Sequence, residues 1–136
     1  MLKMQTARQS LRHAGIRLTP QRLMIMEVLV DNRTHPTVDQ VYLEVRTQYP
    51  TVSLATVYST LALLARCGLI LELHGGKDGL RCDPETAPHA HAYCEHCGGV
   101  FDFALPAMPA WHDAELAGFQ PRGTEISIFG ICAQCN

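Results

Sequence analysis

The sequence predicts an α+β fold in two parts, and three observations carry that expectation. Capped, helix-like segments fill the chain as far as Arg66, and short strand-like runs follow from Leu69 onward. The stretch from His89 to Cys97 reads H-A-H-A-Y-C-E-H-C, an H-x-H pair running into a C-x-x-C turn. A second C-x-x-C, Cys132 and Cys135, lies at the C-terminal end. Two such turns can surround a tetrahedral Zn²⁺ with four sulfurs and so organise a domain too small for a large core. The 136 residues suffice for one ordinary domain or two small ones. Two are expected, 1–83 and 89–136, with a hinge at 84–88 where Pro84 and Pro88 interrupt the pattern.

Element by element, Lys3 to Ala14 reads as a helix stopped by Gly15. Thr19-Pro20 gives an N-cap and an N1 proline to a second helix, Pro20 to Asp31, whose Leu23, Ile25, Met26, Val28, Leu29 and Val30 are candidate core. Thr37 with Gln40 is a capping box for a third helix that ends before Tyr49-Pro50. Ser53 caps a fourth, Leu54 to Arg66, with Gly68 as its stop. Leu69 to His74 and Leu80 to Asp83 are strands joined by a glycine-rich turn. Helices followed by a hairpin are the parts of a winged helix, with the third and fourth helices as the helix-turn-helix pair. In the rear part, strands are expected at His89 to Tyr93, Val100 to Phe103 and Glu125 to Ile131, with a helix at Trp111 to Gly118. So few strands leave a face in need of cover, which a second copy of the chain would supply.

Charge divides the chain the same way. Residues 1–80 carry nine Lys/Arg against six Asp/Glu, whereas residues 81–136 carry two against seven. A basic front suits a polyanion and an acidic rear suits cations. No apolar run approaches the ~20 residues of a membrane span, and the first residues lack a secretory apolar region. A cytoplasmic protein is therefore expected, in which six cysteines favour metal or redox chemistry over disulfides. Other readings of the thiols are buried free cysteines, a rubredoxin-like iron site, or a redox C-x-x-C, the last without a βαβ pattern near either pair. A hydrolytic metal enzyme built on the H-x-H lacks an accompanying nucleophile or general-base pair. Cys67 and Cys82 read as core, and His13, His74, His96 and His112 as spectators.

Several stretches together resemble the ferric uptake regulator superfamily. They are R-L-T-P-Q-R at 17–22, H-P-T-V-D-Q-V-Y at 35–42, S-L-A-T-V-Y-S-T-L at 53–61, G-L-I at 68–70, H-A-H-A-Y-C-E-H-C-G at 89–98 and the terminal C-A-Q-C. The resemblance implies a dimeric, metal-responsive DNA-binding repressor, with an N-terminal winged-helix domain and a C-terminal α/β dimerisation domain. It implies structural zinc on Cys94, Cys97, Cys132 and Cys135, and a regulatory Fe²⁺ or Mn²⁺ on His35, Asp83, His89, His91 and Asp102. Without it, His35 would read as a helix-capping residue and Asp102 as a surface strand acid. With it, ligands on either side of the hinge let the metal favour one DNA-binding arrangement. For an A·T-rich inverted repeat of double-stranded DNA, Tyr58 matches a base-contacting tyrosine, with Thr56 and Ser59 beside it. Ser59 departs from a frequent Arg. Arg17 stands where a minor-groove Lys is common, and Arg22 and Lys77 are phosphate candidates.

The branches of the family differ in what they sense. A cysteine frequent in zinc sensors is Asp83 here, and the aspartate at Asp102 resembles peroxide sensors more than iron sensors, which more often have glutamate. Thr124 replaces a histidine often used at an additional metal site. A peroxide-responsive repressor is the first expectation, an iron-responsive regulator the second and a zinc uptake regulator the third.

Overall fold

A computed structural model describes residues 1–107, 116–121 and 124–136. They form two compact units, Met1–Ala87 and Pro88–Asn136. Among the described residues no helix is long and apolar enough to cross a membrane.

The first unit opens with α1 (Met4–His13), α2 (Pro20–Leu29), α3 (Val38–Gln48) and α4 (Leu54–Arg66). Their boundaries follow from local chemistry. The Thr19 hydroxyl accepts from the Arg22 amide ahead of the N1 proline, and Ser53 accepts from the Thr56 amide. At α3, Thr37 Oγ1 accepts from the Gln40 amide while Gln40 Oε1 accepts from the Thr37 amide, at 3.2 and 2.8 Å. α1 and α4 end alike: Gly15 and Gly68 turn left-handed, and the next amides, of Ile16 and Leu69, reach back to Leu11 and Leu64. α2 stops two residues before Asp31, because Val30 is already extended and Asp31 itself has φ of 55°. Leu11, Ile25, Met26, Leu29, Val41, Val45, Val57, Leu61 and Leu64 bury completely in one cluster. Each large side chain so buried contributes about 1.5–3 kcal/mol relative to exposure.

A short hairpin completes this unit: β1 (Leu71–Leu73) pairs antiparallel with β2 (Arg81–Asp83), matching Leu71 with Asp83 and Leu73 with Arg81. Both strands are shorter than the apolar pattern suggests. The far edge of β2 is also used. Thr37 bridges Arg81, the Cys82 amide donates to the Pro36 carbonyl at 2.9 Å, and the Val38 amide donates to the Leu80 carbonyl at 3.3 Å. The segment leading into α3 is thereby sewn to the wing.

In the second unit β3 (Ala90–Cys94) lies between β4 (Val100–Phe103), antiparallel to it, and β5 (Ser127–Gly130), parallel to it. β5 is shorter than the expected 125–131. Of the expected helix, positions 111–115 and with them His112 lie outside the described residues, and Gly118 turns left-handed at its end. Phe101, Phe103, Ile128 and Phe129 stay exposed on this small sheet.

The burial pattern predicts a contrast within the helices. Leu61→Ala, at a site 1% exposed, should lower unfolding stability by about 2–5 kcal/mol through the cavity it leaves. Leu43→Ala, at a site 58% exposed, should change it by less than about 0.5 kcal/mol in denaturant titrations.

Candidate metal centres and DNA-facing surface

The second unit gathers four thiols. Cys94 ends β3 and the chain turns through Gly98, whose amide returns to the Cys94 carbonyl at 2.9 Å while the Cys94 amide bonds the Gly99 carbonyl. Gly99 is closely packed, since a Cβ there would meet the Phe101 ring at 3.1 Å and the Cys97 sulfur at 3.3 Å, and both would have to give slightly. The parallel register sets Cys94 opposite Gly130, which delivers Cys132 and Cys135 to the same place. The four sulfurs lie within 4.8 Å of one another, and Cys97 and Cys132 are 3.8 Å apart. Zn–S bonds of about 2.3 Å set the corners of a tetrahedron about 3.8 Å apart, so the donor set fits zinc.

Electrostatics agree with that fit. Amides of Cys97 and Cys132 point at the Cys94 sulfur, at 3.5 and 3.3 Å, and hold its thiol down to about 6. Cys135 is pushed up to about 12 by hydrogen bonding to the Cys132 thiol and by burial. Thiols this close share protons, and a divalent cation among them removes that frustration.

The expected regulatory ligands fall in both units. In the first, His35 Nε2 lies 3.6 Å from Asp83 Oδ2, both side chains buried, and Asp83 Oδ1 accepts from the Glu85 amide at 2.8 Å. His35 has φ of 50°, a conformation that costs a non-glycine residue about 1 kcal/mol or more. In the second, His91 pairs in register with Asp102 across β3 and β4. His89 Nε2 and His91 Nε2 approach the same Asp102 Oδ1, at 3.3 and 3.4 Å, with ring centroids 4.4 Å apart. The H-x-H spacing thus puts both imidazoles on one carboxylate, as strand alternation requires.

A model of the ferric uptake regulator family matches residues 13–129. This chain belongs to the ferric uptake regulator family. As a member it is a metal-binding transcription regulator, not an enzyme, that binds DNA and acts as a dimer. The family match ends before Cys132, so the second C-x-x-C lies beyond it. The peroxide operon regulator of Bacillus subtilis (strain 168) is 36% identical over 136 residues, covering 98% of this chain and 94% of that protein. The Campylobacter jejuni peroxide stress regulator superposes with a TM-score of 0.66 at 27% identity, over 99% of this chain and all of that one. The Helicobacter pylori ferric uptake regulator shares the fold, with a TM-score of 0.77 at 23% identity over 98% of this chain and 93% of that one.

For a DNA-binding member of the ferric uptake regulator family, the exposed positions of α4 are of first interest. Tyr58 stands 47% exposed there. Thr56 Oγ1 is within 2.8 Å of the Ser53 hydroxyl, and Ser59 Oγ donates back to the Thr56 carbonyl at 3.1 Å. Both hydroxyls are therefore engaged within the helix, and Tyr58 offers the larger free surface. Arg22 donates to the Arg17 carbonyl at 2.6 Å, fixing the loop on which the exposed Arg17 is carried. Lys77 is exposed in the wing turn.

The remaining cysteines differ from the four. Burial pushes the Cys82 thiol up to about 12, helped by the Glu72 and Asp83 carboxylates, and Cys67 is half-buried at the end of α4. Arg81 belongs to no motif in the sequence. Its guanidinium donates to the His35 carbonyl, and only the folded pairing of β2 with the 36–38 segment reveals this.

Alkylation separates these classes. In native zinc-loaded protein at pH 8, iodoacetamide should modify Cys67 alone. A strong chelator should add Cys94, Cys97, Cys132 and Cys135, and Cys82 should react only after unfolding, as read by peptide masses.

Proposed function

We propose that this chain is a metal-dependent repressor that senses peroxide by metal-catalysed oxidation of its own ligand histidines. The observations that carry the reading are His35 beside Asp83 in the first unit and His89 and His91 on Asp102 in the second: three imidazoles, two short carboxylates and no thiolate. Such donors suit Fe²⁺, Mn²⁺ or Zn²⁺ better than a soft, thiolate-seeking ion. The 36% identity to a peroxide operon regulator supports the same branch. Zn²⁺ on the four cysteines is structural in this reading.

The role of each residue follows from its chemistry. Imidazole nitrogens and carboxylate oxygens drawn from both units let one bound ion favour a single arrangement of them, so DNA affinity rises with metal. Bound Fe²⁺ supplies the electron transfer that activates peroxide. In the net reaction one peroxide oxygen adds to a ligand imidazole, at His35 or His89, and the other leaves as water. An oxidised imidazole ligates poorly, metal is released and DNA affinity falls. An iron-responsive regulator would use the same residues without this reactivity. A zinc uptake regulator is less well supported, because Cys82 is buried and Asp83 alternates with it along β2.

The partner is an A·T-rich inverted repeat bound by a homodimer in the cytoplasm. The exposed Phe101, Phe103, Ile128 and Phe129 support self-association through the second unit. Arg17, Arg22 and Lys77 serve phosphates or the minor groove, while Thr56, Tyr58 and Ser59 form the reading surface.

Two measurements test this. Protein loaded with Fe²⁺, then given low peroxide, should lose operator binding and gain one oxygen on His35 or His89. The Mn²⁺ form should do neither, and an unmodified Fe²⁺ sample that keeps binding would favour the iron-responsive reading. Tyr58→Ala should cost about 1 kcal/mol or more on the specific site with little change on random DNA. Equal loss on both DNAs would remove Tyr58 from base reading.

A further inference from the structure

His35 sits at an awkward place in the backbone. It has φ of 50° and precedes Pro36, whose ring disfavours helical conformations in the residue before it. Something must hold it there, and two features of the wing do. The first is the backbone ladder on the outer edge of β2, through Pro36 and Val38. The second is the Arg81 side chain, which runs along that edge. Its Nη1 donates to the His35 carbonyl at 2.9 Å, and its Nη2 meets Asp78 Oδ2 at 3.0 Å. The Arg81 side chain is 12% exposed, and its Nε is buried with no hydrogen-bond partner among the described residues. The guanidinium is thus committed to two partners at the cost of a third donor, and its planar fork spans both.

We infer that Arg81 is a positioning residue for metal binding: it fixes the His35 peptide so that the imidazole faces Asp83, and Asp78 of the wing turn anchors it. The inference rests on His35 being a regulatory ligand. Charge alone would act oppositely, since a nearby guanidinium disfavours a cation and its removal should tighten binding. The carbonyl contact acts through orientation. A bond from the side chain to the ligand's own peptide selects one orientation of the residue, as outer hydrogen bonds do for metal-bound histidines elsewhere. Asp78 adjoins Lys77 in the wing turn, so the group that approaches DNA phosphates in the proposed function is one residue from the anchor. A displacement of the wing is then felt at His35, and by linkage an ion at His35 steadies the wing.

The test is a double-mutant cycle on full-length zinc-loaded protein, with Mn²⁺ affinity read from the EPR signal of the free ion. His35→Gly removes the imidazole while tolerating the left-handed backbone. Arg81→Gln should weaken Mn²⁺ binding about ten-fold with His35 present, and by less than about two-fold when combined with His35→Gly. Zinc content should be unchanged in all forms. If Arg81→Gln does not fold, Arg81→Lys is read the same way, since an ammonium keeps the charge and cannot span both partners. Equal losses in the two backgrounds would overturn the inference while leaving His35 as a ligand, and so would unchanged or tighter binding in either Arg81 variant. Unchanged affinity in His35→Gly alone would instead overturn the ligand assignment, and the inference with it.

Discussion

The first unit depends on a three-residue strand that is paired on both edges. β2 meets β1 along one side and the 36–38 segment along the other, so Arg81, Cys82 and Asp83 are fixed from both directions. Those pairings bury Cys82, aim Asp83 at His35 and lay Arg81 under the His35 carbonyl. A two-stranded ribbon alone is marginal in water. Here the third backbone segment and the capped start of α3 make the hairpin part of the helical core. The wing and the His35 segment are consequently bonded edge to edge.

The second unit solves a different problem. Three strands of four or five residues present phenylalanine and isoleucine to solvent and have little interior of their own. Two devices compensate. One is the cluster of four sulfurs, whose mutual proximity makes a dication favourable. The other is the exposed apolar face, which a second copy of the chain can cover. A dication on the sulfurs and a second copy on the apolar residues would both offset the small buried surface of this unit.

Much of this was legible in the residues. The caps at Thr19, Thr37 and Ser53 and the stops at Gly15 and Gly68 act within a few residues, so local chemistry revealed them. The His89–His91 pairing on Asp102 follows from strand alternation once a neighbouring strand exists. Strand lengths were overestimated because apolar pattern continues past the point where a pairing partner runs out, as at Leu69 and Ile131. Neither the Thr37–Arg81 bridge nor the Arg81–His35 bond could be read, since both join residues more than forty positions apart through folded backbone. His35 and Asp83 were recognisable as a pair only through family resemblance, because nothing local couples them.

The sulfur cluster also has a topological effect. Cys97 and Cys132 are 35 positions apart, and a tie between them closes that length of chain into a ring. A covalent cross-link over such a loop would withdraw about 4 kcal/mol of freedom from the unfolded chain. The cost of closure grows only logarithmically, by about 0.6 kcal/mol per doubling of the loop. Closure entropy alone therefore sets little limit on the number of residues between the two C-x-x-C turns. The knuckle is held more closely, because Gly98 turns left-handed and a Cβ at Gly99 would crowd the Phe101 ring and the Cys97 sulfur.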